Sequence, residues 1–166
     1  LTVSVLPALP AMTLPGDTLL ITGASLGAAT INNMVAPLLE QLAARVAEPW
    51  QVLHQTGSAK SAGELKLPAV AAARFTYRTV DFITTMPEAI AAADVVICRA
   101  GASTLAELTA IGRPGVLMPY PFHRDEHQRH NGQVLVDAGA AVMVRDLRDA
   151  AANTAQLIGP VGELMT

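Results

Sequence analysis

Three segments of this chain combine residue types and spacings that can hold an anion or a polyhydroxylated ligand. The first, Thr22-Gly23-Ala24-Ser25-Leu26-Gly27-Ala28, is a run of small residues between an apolar stretch and a helical pattern. At such a junction free backbone N–H groups and the helix dipole favour negative charge, and Ser25 adds a hydroxyl donor. The run has neither the glycine spacing of a dinucleotide fingerprint nor the lysine of a P-loop. A tight turn with Ser25 as helix cap is the alternative reading.

The second segment, Cys98-Arg99-Ala100-Gly101-Ala102-Ser103-Thr104-Leu105-Ala106-Glu107, repeats the strand end, small-residue loop and helix start. Two such N-termini side by side can hold a diphosphate without a metal, because oriented amides supply the compensating charge. Glu107 stands one turn into the helix, where its carboxylate can accept two hydrogen bonds from a vicinal diol such as ribose. Thr104-x-x-Glu107 also reads as a capping box, in which Glu107 only reaches back to its own N-cap. Both readings stay open.

The third is the polar run from Pro119 to Asn131, which holds His123, His127 and His130, three of the four histidines in the chain. His127, Gln128 and Asn131 at a helix start suit recognition of sugar hydroxyls, the alternative being a solvated, charged helix N-terminus. His123 and His127 stand at i and i+4, but the spacing lacks the inner glutamate of H-E-x-x-H zinc sites, and no metal is expected. His54-Gln55-Thr56-Gly57 reads as a polar turn with Gly57 at positive φ, or as part of the ligand rim. Phe82-Ile83-Thr84-Thr85-Met86-Pro87 offers backbone groups and an apolar wall to a base, or starts a helix with Pro87 in its first turn. Cys98 reads as core. No nucleophile triad and no hydrolytic pair of carboxylates stands out.

The elements that must position these segments are short apolar runs at Thr18–Thr22, Trp50–His54, Phe75–Val80, Asp94–Cys98, Gly115–Pro119 and Ala140–Val144. Helix-length stretches separate most of them, so they read as parallel strands. Val95-Val96-Ile97 has no polar alternation, as in strands covered on both faces, which predicts an α/β doubly wound parallel sheet. Ile31, Val35, Leu38, Leu39, Leu42 and Val46 recur at helical spacing. Between Gly57 and Arg74 the sequence predicts a short helix and a loop. The alanine clusters Ala71–Ala73, Ala91–Ala93 and Ala150–Ala152 read as helix surface.

At 166 residues, with 51% hydrophobic and 15% charged residues, the chain fits one globular domain rather than disorder or a membrane span. Eleven basic against 14 acidic residues, with no basic cluster, leave no field for nucleic acid. A single cysteine excludes a disulfide framework and suits a reducing compartment, the cytosol. Residues 1–16, with Pro7, Pro10 and Pro15 and no charge, read as a linker, and a start at Leu1 suggests a piece of something longer.

Arg99-Ala-Gly-Ala-Ser-Thr-Leu-Ala-Glu107, followed by Gly112-Arg-Pro114, Pro119-Tyr-Pro121 and His127-Gln128-x-x-Asn131, closely resembles the C-terminal half of glycosyltransferase family 28, in its peptidoglycan branch. The resemblance runs from about Thr18 to Val144 and takes in Gly23-x-Ser25-x-Gly27-Ala28, Asn32 and the His54–Gly57 turn. It implies a GT-B fold of two Rossmann-like domains. Residues 17–166 would be the donor-binding C-terminal domain and 1–16 the interdomain linker, with the N-terminal acceptor domain absent from this chain. The implied enzyme is an inverting hexosyltransferase that moves N-acetylglucosamine from UDP-GlcNAc to a lipid-linked muramyl-pentapeptide, making lipid II. It needs no cofactor and sits peripherally on the cytoplasmic face of the bacterial inner membrane.

Carried over residue by residue, Ser25, with Gly27 in the same cradle, and the loop of Ala102, Ser103 and Thr104 match diphosphate contacts. Glu107 matches the ribose acceptor, Phe82, Ile83 and Met86 the surroundings of uracil, and His127 and Gln128 the contacts to the GlcNAc hydroxyls. Asn32, Arg99 and Asn131 fall on motif positions without an assigned role. Ala24 and Leu26 depart from the family's usual Gly and Gln, and an arginine of the family's linker has no counterpart in Leu1–Asp17. The family's catalytic base and membrane-docking patch belong to the other half, so this chain alone is expected to bind donor and transfer nothing. The alternatives are the donor half of another GT-B transferase, acting on a glycolipid or natural product, and a stand-alone UDP-sugar-binding module with a separate acceptor subunit.

Overall fold

The computed structural model describes residues 17–23, 28–57, 66–122 and 125–166. The strands are β1 (Thr18–Thr22), β2 (Trp50–Gln55), β3 (Phe75–Val80), β4 (Val95–Cys98), β5 (Gly115–Leu117) and β6 (Ala141–Met143). They form one sheet in the order β3-β2-β1-β4-β5-β6, with every neighbouring pair parallel. This is the doubly wound α/β sheet expected from the apolar runs. Its order reverses direction between β1 and β4, whose ends pair Thr22 with Cys98.

Successive strand residues point to opposite faces, and the two cores follow this alternation. Leu19 and Ile21 of β1 join Val95 and Ile97 of β4 on one face. Leu20, Val96 and Cys98 join the other. The first face is covered by α1 (Ala29–Leu42), α2 (Ala69–Ala72) and α6 (Ala150–Leu164), the second by α3 (Met86–Ala92), α4 (Ala102–Ile111) and α5 (His127–Asp137). In α1 the residues at helical spacing, Ile31, Val35, Leu38, Leu39 and Leu42, are all buried, while Val46 is buried just beyond the helix end. Leu157 and Val161 of α6 pack into the same cluster.

The strand limits differ slightly from the apolar runs. β5 stops at Leu117, beyond which the carbonyls of Met118 and Pro119 accept from Arg99, and β2 extends to Gln55, which pairs with Val80. Two of the alanines read as helix surface, Ala71 and Ala93, are fully buried. Their small side chains let elements approach the sheet closely, a packing role that the compositional reading misses. Gly57 has φ of 81°, and α3 carries Pro87 in its first turn, both as expected. Residues 1–16, the Ser25–Gly27 cradle, residues 58–65 and His123 lie outside the described residues, while the short helix expected between Gly57 and Arg74 is α2.

β2 is tied to α1 by a buried chain of polar groups. Asn32 Nδ2 donates to the Thr56 carbonyl at 2.9 Å, which leaves its Oδ1 facing His54 Nε2 at 3.0 Å. That nitrogen therefore carries the proton, and Nδ1 accepts from the Tyr77 hydroxyl at 2.7 Å. Every group is satisfied with His54 neutral, and burial pushes the imidazole down to about 4. Unfolded, the same side chain titrates near 6.5. Stability is thus complete above that value and is lost as pH falls from 6.5 towards 4, because the unfolded chain takes up the proton first. At about 1.4 kcal/mol per pH unit, the loss by pH 5 is about 2 kcal/mol. Urea denaturation at pH 7 and pH 5 should show this drop, and His54→Gln should flatten it. Equal stability of the unaltered chain at both pH values contradicts a buried neutral His54.

Candidate functional site

In open parallel sheets the crevice beyond the carboxyl ends of the strands, at the reversal of strand order, is where ligands bind. Here α1 and α4 begin on either side of that crevice, because they follow the paired strands β1 and β4. Both helices start without a side-chain cap: the cap positions are Ala28 and Gly101. The first bonds within the helices run from Asn32 to Ala28 and from Leu105 to Gly101. The N–H groups of Ala29, Thr30 and Ile31, and of Ala102, Ser103 and Thr104, therefore have no acceptor within their helices. Six amides and two helix dipoles converge on one crevice, a place built for anionic oxygen.

This geometry overturns one structural reading of the sequence. The cap position of α1 is Ala28, while Ser25 and Gly27, and with them the reading of Ser25 as cap, lie outside the described residues. Thr104 is the third residue of α4 rather than its cap, so Thr104-x-x-Glu107 is no capping box. The small residues Ala100 and Gly101 let the chain enter the helix earlier than the motif suggests. Glu107 is half-buried in the second turn and makes no hydrogen bond or ion pair with any described residue. Residues three and four apart share a helix face, so its carboxylate stands on the face of Ser103 and Thr104.

The other predicted residues divide. Phe82 is 50% exposed in the loop before α3, whereas Ile83 is 3% exposed and its side chain belongs to the core. The Ile83 N–H donates to Gln55 Oε1 at 2.9 Å, which pins that loop to the end of β2, and Met86 is half-buried at the start of α3. His127, Gln128 and Asn131 lie in the first turns of α5. The Tyr120 N–H donates to Gln128 Oε1 at 2.9 Å, which orients the amide and leaves its NH₂ as a donor. His127 Nδ1 lies 2.8 Å from Asp125 Oδ1, and this hydrogen bond holds the Asp125 carboxyl below its usual range. Asn131 is one turn further along the His127 side. Asn32 spends its amide inside the protein, on Thr56 and His54.

Arg99 is likewise turned inward. It is 5% exposed, and its Nη2 lies 2.8 Å from Asp146 Oδ2 and donates to Thr30 Oγ1 at 2.8 Å, while Nη1 donates to the carbonyls of Met118 and Pro119. Asp146 also accepts from Thr30 Oγ1, Asn153 Nδ2 and the Arg148 N–H. Burial alone would raise its pKa, but these hydrogen bonds outweigh it and hold the carboxyl below the usual aspartate value. Thr30, Asp146 and Asn153 escape the sequence reading because Thr30 and Asp146 are 116 residues apart and carry no local pattern.

With this geometry in place, the chain can be compared with known proteins. The model of the glycosyltransferase family 28 C-terminal domain matches residues 18–164. The chain belongs to glycosyltransferase family 28. Among family members, the UDP-N-acetylglucosamine–N-acetylmuramyl-(pentapeptide) pyrophosphoryl-undecaprenol N-acetylglucosamine transferase of Sorangium cellulosum (strain So ce56) is 48% identical over 126 residues, 76% of this chain. The enzyme of the same name from Chlorobaculum parvum (strain DSM 263 / NCIMB 8327) is 44% identical over 135 residues, 80% of this chain. These matches span 31% and 35% of the two relatives, about a third of their length. The crystal structure of Acinetobacter baumannii MurG superposes with a TM-score of 0.76 at 33% identity, covering 90% of this chain and 45% of that one.

The position of Arg99 generates a stability test. Arg99→Met leaves the Asp146 carboxylate buried without its cation and should cost about 3 to 5 kcal/mol, read by urea denaturation. The pair Arg99→Met with Asp146→Asn removes both charges while keeping an acceptor for Asn153 and the Arg148 N–H, and should recover much of that loss. A double variant no more stable than Arg99→Met would show that the loss does not come from the stranded charge.

Proposed function

We propose that residues 17–166 are the donor-binding domain, and 1–16 the preceding linker, of an inverting N-acetylglucosaminyltransferase. It would take UDP-GlcNAc as donor and a lipid-linked muramyl-pentapeptide as acceptor, forming lipid II. The observation that carries this reading is the pair of uncapped helix N-termini flanking the β1/β4 crevice, with the unpartnered Glu107 carboxylate one turn inside α4. Membership of family 28 and the names of the relatives supply the sugar and the acceptor.

The chemistry follows from where charge develops. As the bond from the sugar C1 to the diphosphate breaks, negative charge grows on the leaving UDP. The diphosphate is already anionic in the donor, and preoriented N–H groups aimed at it favour the state in which it carries the further charge of the broken bond, without a metal. Glu107 would hold the ribose diol and so fix the diphosphate against the two helices. Phe82 and the loop before α3 would flank the base, while the Gln128 NH₂, His127 and Asn131 would meet the sugar. The base that takes the acceptor proton, and the surface that meets the membrane, would lie in the other part of the enzyme, which would act peripherally at the cytoplasmic face. No helix among the described residues is long and apolar enough to cross a membrane.

Calorimetric titration should show that the chain binds UDP and UDP-GlcNAc with similar, modest affinity, since the sugar is only half enclosed here. EDTA should leave this unchanged, and a strict magnesium requirement would contradict the dipole-held diphosphate. Glu107→Gln removes charge-assisted acceptance from two hydroxyls and should weaken UDP about tenfold or more. Its melting temperature should barely move, because Glu107 makes no contact that holds the fold. Unchanged UDP affinity in this variant removes Glu107 from the site.

A further inference from the structure

Two helix ends can share one ligand only if the distance between them is fixed. A misplacement of about 1 Å costs a preformed site much of its effect. The β1/β4 ladder ends at Thr22 and Cys98, short of both helices, so a contact beyond the strands must set the first turn of α1 against the loop that leads into α4. Among the described residues, Thr30 makes that contact.

Thr30 is the second residue of α1, and Arg99 stands two residues before Gly101, the cap position of α4. Thr30 Oγ1 accepts from Arg99 Nη2 at 2.8 Å and donates to Asp146 Oδ2 at 2.6 Å, and the same carboxylate oxygen lies 2.8 Å from Arg99 Nη2. A hydroxyl has one proton, and here it is spent on Asp146 at a separation typical of a charge-assisted bond. The side chain is therefore no donor to a bound anion, although it stands in the first turn of an open helix. It joins that turn to the guanidinium.

Two further observations set this contact apart from ordinary packing. Arg99 Nε is buried without a partner among the described residues, so the guanidinium reaches Thr30, Asp146 and two carbonyls while one of its own donors goes unmet. A buried donor left unpaired is costly and calls for a reason. The same group also steadies a third wall of the crevice. Arg99 Nη1 donates to the Pro119 carbonyl at 3.3 Å, and the next residue, Tyr120, donates its N–H to Gln128 Oε1 at the start of α5. Arg99 and Asp146 cancel each other's charge, so their influence on a bound anion is carried by position rather than by field.

We propose that Thr30 is a positioning residue for the diphosphate, its hydroxyl fixing the distance between the open first turns of α1 and α4. The proposal rests on the donor reading above. A diphosphate that spans both helix ends depends on that distance, whereas a monophosphate can settle on one of them.

The test compares UDP with UMP on the 166-residue chain by amide NMR titration. Thr30→Val keeps the side-chain shape, the backbone N–H and the net charge and removes the hydroxyl alone. It should weaken UDP at least about fivefold, the worth of one hydrogen bond, and leave UMP within about twofold. Thr30→Ser restores the hydroxyl and should return UDP to within about twofold of the unaltered chain. Without ligand, the amides of Ala102, Ser103 and Thr104 should shift in Thr30→Val, although they belong to the other helix. Thr30→Ala, which also lacks the hydroxyl and suits a helix, carries the same expectations and serves if the valine variant does not fold. UDP affinity unchanged in these variants, equal loss for UDP and UMP, or no recovery with serine overturns the positioning role. No binding of UDP by the unaltered chain overturns the donor reading itself.

Discussion

The carboxyl edge of the sheet, on which every functional argument here depends, is held by the buried contact of Arg99 with Asp146. Five segments meet there: the loop after β4 through Arg99, the first turn of α1 through Thr30, the end of β5 through Met118 and Pro119, the segment after β6 through Asp146, and α6 through Asn153. An ion pair taken out of water is costly, and apolar residues of the same volume often serve stability as well. What apolar residues lack is direction. A planar guanidinium and a carboxylate with several fixed donors admit one arrangement of the five segments, and that arrangement sets α1 against α4 across the crevice.

Against this centre, the two helix ends above it are left open. Polar groups below the crevice, in the Tyr77–His54–Asn32–Thr56 chain and around Asp146, find partners within the protein, save the buried Arg99 Nε. At Ala28 and Gly101 no described side chain closes the helix. Unpaired amides are tolerated where water or a ligand reaches them. The contrast separates positioning from binding. Arg99 and Asn32 hold elements, while Ser103, Thr104, Glu107 and Gln128 keep groups turned outward.

Much of this was legible in the sequence. A buried strand must be apolar throughout, so β1 and β4 announced themselves and implied a covered parallel sheet. The strand order then placed the ligand crevice at the carboxyl ends, and the small-residue loops at Gly23–Gly27 and Arg99–Thr104 pointed to it. Local geometry was harder. The capping box at Thr104 and Glu107 satisfies the motif, yet the helix begins three residues earlier, with Gly101 in extended backbone at the cap position and Ala102 as the first helical residue. Ala71 and Ala93 read as surface because composition cannot distinguish an alanine in water from one that lets two elements approach.

Amino-acid order by itself determined the class of sheet, the small-residue loops at its carboxyl edge and the family, because each depends on residues close together in the chain. Only the tertiary structure decided the direction of the polar side chains. Arg99 stands within a binding motif, but its partner Asp146 lies 47 positions away and its second partner Thr30 lies 69 positions away in the other direction. Nothing in the neighbourhood of any of the three predicts the contact. Which charged groups are consumed within the protein and which remain to meet a ligand is settled by packing distant segments against each other, since the cost of burying a charge depends on everything that surrounds it.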